Sequence, residues 1–195
     1  MRRKLTAIGV GVALLMTVFY ACKKDTKSPD SKLDKVSKIV AEKCLSGASS
    51  LATQSTTPYN VYLYKITDNG DGTYTWEWRV RNLNPGNGTG GTVQDLSHWD
   101  ISLGDCVTIA DVVSGATSTD GVTWNPFTPK FEVDKSQSCF TDKILKFDLG
   151  TTGTDISYYR LTINKNVSHT AVTGIYKSGA NTGCGSLETC GFGCE

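Results

Sequence analysis

Apolar and polar residues alternate one by one where Tyr74, Trp76, Trp78 and Val80 are separated by Thr75, Glu77 and Arg79. A period of two predicts a β-strand with one buried and one wet face. Tyr59 to Ile66 is a second β-rich run, and Asp68-Asn69-Gly70-Asp71-Gly72 lies between the two. Asn-Gly and Asp-Gly supply the positive φ of tight turns, so the pair reads as a hairpin. The same alternation returns at Trp99, Ile101 and Leu103, at Leu145, Phe147 and Leu149, and at Tyr159, Leu161 and Ile163. Shorter runs from Cys106 to Val113, Val122 to Trp124, Phe131 to Val133 and Ala171 to Lys177 bring the count to about nine strands. Short strands divided by Gly- and Asp-rich turns predict an all-β fold, a two-sheet β-sandwich. Residues 84–92 are too glycine-rich for structure of their own and predict a long loop.

The period changes towards the N-terminus. Leu33, Val36, Ile39, Val40 and Cys44 fall on one face at helical spacing, with Ser31 as N-cap and Asp34 three residues on, which predicts a short amphipathic helix. Ser-, Thr-, Ala- and Gly-rich residues 45–57 form a linker, and polar residues 23–32 a tether carrying Pro29. Ahead of these, Arg2, Arg3 and Lys4 precede an apolar run from Leu5 to Ala21, followed by Cys22 and then Lys23, Lys24 and Asp25. That order of charge, apolar run and small residue is the secretory signal pattern. A retained membrane helix needs about 20 apolar residues, and this run is shorter, with Gly9 and Gly11 inside it. Phe19-Tyr20-Ala21-Cys22 resembles the lipobox of bacterial lipoproteins. The resemblance implies cleavage before Cys22 and its acylation by a diacylglyceryl group plus an N-acyl chain, making the lipid bilayer a partner. Ordinary signal cleavage would instead leave Cys22 a plain thiol. The expected division is therefore 1–21 signal peptide, 22–57 tether with the short helix, and 58–195 sandwich domain, with a Cys-rich C-terminal tail.

Seven cysteines leave one spare in an exported protein. Assigning Cys22 to lipid leaves Cys44, Cys106, Cys139, Cys184, Cys190 and Cys194, enough for three disulfides whose pairing the sequence leaves open. A metal site on Cys184, Cys190 and Cys194 is the rival reading, but the gap between Cys184 and Cys190 exceeds the usual ligand spacing. The leader holds three of the 20 basic residues and no acidic one, so the remainder has 17 basic against 19 acidic residues. No basic patch marks a nucleic-acid surface.

Thr73 to Asn82, then Leu96-Ser97-His98-Trp99, then Leu103-Gly104-Asp105-Cys106 resemble a secreted bacterial β-sandwich module of undefined activity. The resemblance spans about residues 58–178 and implies fold and exported location, not chemistry. Asp95, His98 and Asp100 are close enough to be drawn as a metal or acid–base cluster. On a strand, His98 and Asp100 share a face while Asp95 falls in the preceding loop. The simpler expectation is that His98 bonds backbone near the strand start, with no metal and no cofactor. No Gly-x-Ser-x-Gly elbow, zinc helix or P-loop is present, so no catalytic residue is assigned.

Aromatic residues are the better lead. Trp76 and Trp78 share one strand face and are expected in the core, whereas Trp124, beside Asn125 and Pro126, is expected to be exposed. Trp124 with His98 and Trp99 forms the candidate ligand surface, of a kind that stacks on sugar rings. The expected function is a non-enzymatic lipoprotein of the bacterial outer membrane that binds a glycan or a protein. The alternative is a small glycan hydrolase or accessory module, for which Asp95, Asp100, Asp105 and Asp111 are the first carboxylates to inspect.

Overall fold

The hairpin at the start of the domain forms as its sequence requires. In the computed structural model, which describes residues 58–82, 95–179 and 183–194, β1 (Tyr59–Asp68) pairs antiparallel with β2 (Tyr74–Asn82). Gly70 and Gly72 take φ of +77° and +86° in the connecting turn. The turn's acids are occupied by backbone: Asp68 Oδ1 accepts from Gly70 N at 2.8 Å and Asp71 Oδ1 from Thr73 N at 2.9 Å. These are Asx turns, in which a short carboxylate mimics the next peptide carbonyl.

The remaining strands are β3 (Leu96–Ile101), β4 (Val112–Ser118), β5 (Asn125–Phe127), β6 (Phe131–Val133), β7 (Lys143–Phe147), β8 (Ile156–Ile163), β9 (Ser168–Ser178) and β10 (Cys184–Gly193). They form two five-stranded sheets, in the orders β1-β2-β8-β4-β5 and β10-β9-β3-β7-β6. Every described pairing is antiparallel. The fold is the expected two-sheet sandwich, and no helix among the described residues is long and apolar enough to cross a membrane.

Three local expectations shift. The run from Cys106 to Val113 is a loop and a single 3-10 turn at Ile109–Asp111, with pairing starting only at Val112. The turn is capped by Asp111, whose Oδ2 accepts from Thr108 N at 2.8 Å and Thr108 Oγ1 at 2.9 Å. A strand expected from Val122 to Trp124 is displaced to Asn125–Phe127, because the Asp120 carboxylate collects Val122 N at 2.8 Å and Thr123 N at 2.7 Å into a turn. The Cys-rich end is not a tail. It is β10, in register with β9 over its whole length. The amphipathic helix, Cys22, Cys44 and residues 84–92 lie outside the described residues.

The inner faces meet in an aromatic core. Trp76 and Trp78 are buried as their alternation requires, and Phe192 packs edge-on to Trp76 at 4.7 Å between centroids. Trp99 stacks on its cross-strand neighbour Phe147 at 4.8 Å and, across the sheets, meets Tyr159 edge-on at 5.4 Å. Such pairs contribute about 0.5–1.5 kcal/mol each beyond their buried area. Two disulfides are placed: Cys106–Cys194 and Cys139–Cys184, with Cα atoms 5.4 and 5.8 Å apart. Cys190 is disulfide-bonded as well.

Candidate functional site

The alternation of β3 sends Trp99 and Ile101 into the core and turns His98 and Asp100 to the outer face of the second sheet. That face is not wet: His98 and Asp100 are 2% and 0% exposed. The reason lies in the loop between β6 and β7. Asp134, at its start, reaches His98, whose Nε2 is 2.8 Å from Asp134 Oδ2. Further along, Cys139 is bonded to Cys184 at the start of β10. The loop therefore straps the outer face from the β6 edge to the β10 edge. It follows the cross-strand row in which Cys184 faces Lys177 and Lys177 faces His98.

Three potential ligand atoms, one each from His98, Asp100 and Asp134, lie within 4.8 Å of one another. Asp134 is well supplied with donors: Ser136 N at 3.0 Å and Ser136 Oγ at 2.6 Å both donate to Oδ1. Burial alone would raise its pKa, but these bonds and the one with His98 outweigh it and hold the carboxyl down at about 2. Lys146 Nζ stands 3.6 Å from Asp134 Oδ1 and 3.5 Å from Asp148 Oδ1. Asp100 is the exception. Both its oxygens are buried with no hydrogen-bond partner, although Lys146 is its register neighbour on β7. Burial, reinforced by the Asp134 and Asp148 carboxylates and opposed by Lys146, pushes its pKa up to about 8. His98 is pushed the other way, by burial and then by Lys146, against the Asp134 bond. At neutral pH His98 and Asp134 therefore form a hydrogen bond rather than an ion pair.

The cluster underlies an open cleft of about 680 Å³ between the edge strands β5 and β6. Its walls include Phe127, Lys130, Glu132, Asp134, Lys146 and Asp148, so charges of both signs face one another over a partly apolar floor. A second cleft of about 540 Å³ lies beside the Cys106–Cys194 bridge, where Lys165 Nζ donates to Cys106 O at 2.6 Å.

The candidates read from sequence are thus redistributed. His98 bonds side chains of Ser97, Asp134 and Ser136 rather than backbone. Asp95 does not join it: its Oδ1 accepts from Gly153 N at 2.6 Å. Trp99 is fully buried, stacked on Phe147 and in edge contact with Tyr159, and leaves no surface for a ligand. Trp124 is half-buried, with the Arg160 guanidinium 3.5 Å above its ring centre. Asp95, Asp100, Asp105 and Asp111 line neither cleft. Asp134 carried no sequence signal beyond its Asx-turn neighbour Ser136. No protein-family model matches the chain, and no curated protein matches it.

Proposed function

We propose that the protein is a lipid-anchored, non-enzymatic binding module of the bacterial cell envelope, held at the outer membrane through acylated Cys22. The reading takes the cleft between β5 and β6 as its ligand surface. The observation that carries it is the contrast in accessibility there. The exposed groups of the cleft, Lys130, Glu132, Lys135 and Asp148, are charged and suited to contact, while the one carboxyl among the described residues with a strongly raised pKa, Asp100, is fully buried. A general acid must reach the substrate's leaving group, and Asp100 has no such access. Opposed charges beside Phe127 fit a polar partner with an apolar face, such as a glycan or an extended protein segment.

The anchor is tested by mass spectrometry of the protein taken from membranes. Triacylated Cys22 at the N-terminus supports it, and an intact leader or free thiol contradicts it. Ligand class is tested on a glycan array and by pull-down from envelope extracts, with detergent-solubilised wild type beside Lys130→Ala/Glu132→Ala. Retention by wild type and loss in the variant support the cleft. Release of reducing ends from a polysaccharide would overturn the non-enzymatic reading.

A further inference from the structure

We infer that His98, Asp100 and Asp134 form a binding site for a first-row divalent metal ion, with Zn²⁺ its natural probe. The ligand atoms of the three buried residues lie within 4.8 Å of one another. The independent observation is Asp100: a fully buried carboxylate, both oxygens lacking a hydrogen-bond partner, aimed at the other two. A carboxyl buried without donors is costly to keep. Asp134, a few ångströms away, is by contrast surrounded by donors. A cation is the partner that Asp100 lacks.

The donor set points to the class of ion. Ca²⁺ takes six to eight oxygen ligands and Mg²⁺ keeps most of its waters, whereas one imidazole nitrogen and two carboxylates suit Zn²⁺, Mn²⁺ or Fe²⁺. His98 Nε2 and Asp134 Oδ2, 2.8 Å apart in their hydrogen bond, need to open only to about 3.3 Å to stand as neighbouring tetrahedral ligands about 2.0–2.1 Å from a shared ion. In the metal-free site the Nε2–H donates to the Asp134 carboxylate, so binding requires the ion to displace that proton; in the other tautomer Nδ1–H faces Ser97 Oγ, 3.3 Å away, which would orient the ring as outer partners of metal-bound histidines do. Lys146 is the resident cation that must yield. Its half-exposed chain already reaches Asp148 at 3.5 Å, on the solvent side, and Lys177 is the other basic neighbour, across the ladder from His98. Three protein ligands leave a coordination position for water or a ligand atom, as in open zinc sites. Asp134 and Lys146 line the cleft above, which gives the ion an entry path.

The test uses full-length protein in detergent, disulfides intact, stripped with chelator and titrated with ZnCl₂. The inference predicts one equivalent bound per chain and a Tm rise of about 5–10 °C at a hundredfold excess over Kd. Asp100→Asn keeps the shape of the side chain and its neutral form, so it should fold, yet bind Zn²⁺ at least tenfold more weakly. Co²⁺ adds a second readout: visible d–d bands in wild type that vanish in Asp134→Asn, whichever variant folds best. Absence of stoichiometric binding, or equal binding and equal Co²⁺ spectra in both variants, would overturn the inference. Neither outcome touches the glycan and protein screens above, so the two readings fail separately.

Discussion

At one side of the sandwich, β1 and β10 lie against each other. At the other, β5 and β6 are three residues long and part around a cleft. The first side is closed by side chains. Trp78 Nε1 donates to Cys190 O at 2.7 Å, Thr189 Oγ1 donates to Val61 O at 2.9 Å, and Tyr59 OH meets Ser178 Oγ at 2.9 Å. Cys184, Cys190 and Cys194 are all disulfide-bonded, so β10 is stapled along its length. The second side carries Pro126, which has no N–H to offer a ladder and marks an edge. Unpaired strand edges invite aggregation, and proteins blunt them by covering or shortening them. Here one edge is covered and the other shortened, and the larger of the two clefts described lies at the shortened one.

The largest expected effect comes from breaking the closed side at its centre. Trp78→Ala removes a fully buried ring and the donor to β10, and should cost about 3–5 kcal/mol in denaturant unfolding. Replacing Cys139 and Cys184 together by Ala should cost about 2–4 kcal/mol. It should also speed amide exchange at residues 134–142, since the strap loses its far anchor, while β1 stays protected. Tyr59→Phe removes one buried hydrogen bond, about 1 kcal/mol at neutral pH. It should also change the alkaline limb. Burial, against the Ser178 bond, pushes the Tyr59 phenol up to about 12, and burial raises Tyr159 further. Both stay protonated in the fold where an unfolded tyrosine ionises near 10, so stability is level below pH 10 and falls as pH climbs above it. A pH–stability profile of Tyr59→Phe should show a shallower fall. The smallest effect is at the open side, where Lys130→Ala should alter stability by less than about 0.5 kcal/mol. A larger loss there would mean that the cleft wall supports the fold.

Much of the closed side's core was legible in sequence, and little of the open side was. Trp76, Trp78, Tyr159 and Leu161 announce themselves because a half-buried strand writes its inner face at every second residue. β10 hides because Gly185, Gly191 and Gly193 replace the apolar alternation, and its place depends on disulfides the spacing cannot pair. β5 hides because Asn125-Pro126-Phe127 reads as a turn. At the candidate site, the shared face of His98 and Asp100 followed from the period of two. Their third member did not. Asp134 arrives through a strap 36 residues beyond His98, and the acid near His98 in sequence, Asp95, goes instead to Gly153. Local periodicity fixes which way a side chain points, while closure of a site depends on which loop crosses above it.

Hydrogen–deuterium exchange of the full-length protein, resolved to β1, β5, β6 and β10, measures the asymmetry between the two sides directly. Slow exchange in β10 and the buried half of β1, with rapid exchange in β5 and β6, is the predicted pattern. Equal rates at both edges, or faster exchange in β10 than in β6, would contradict it.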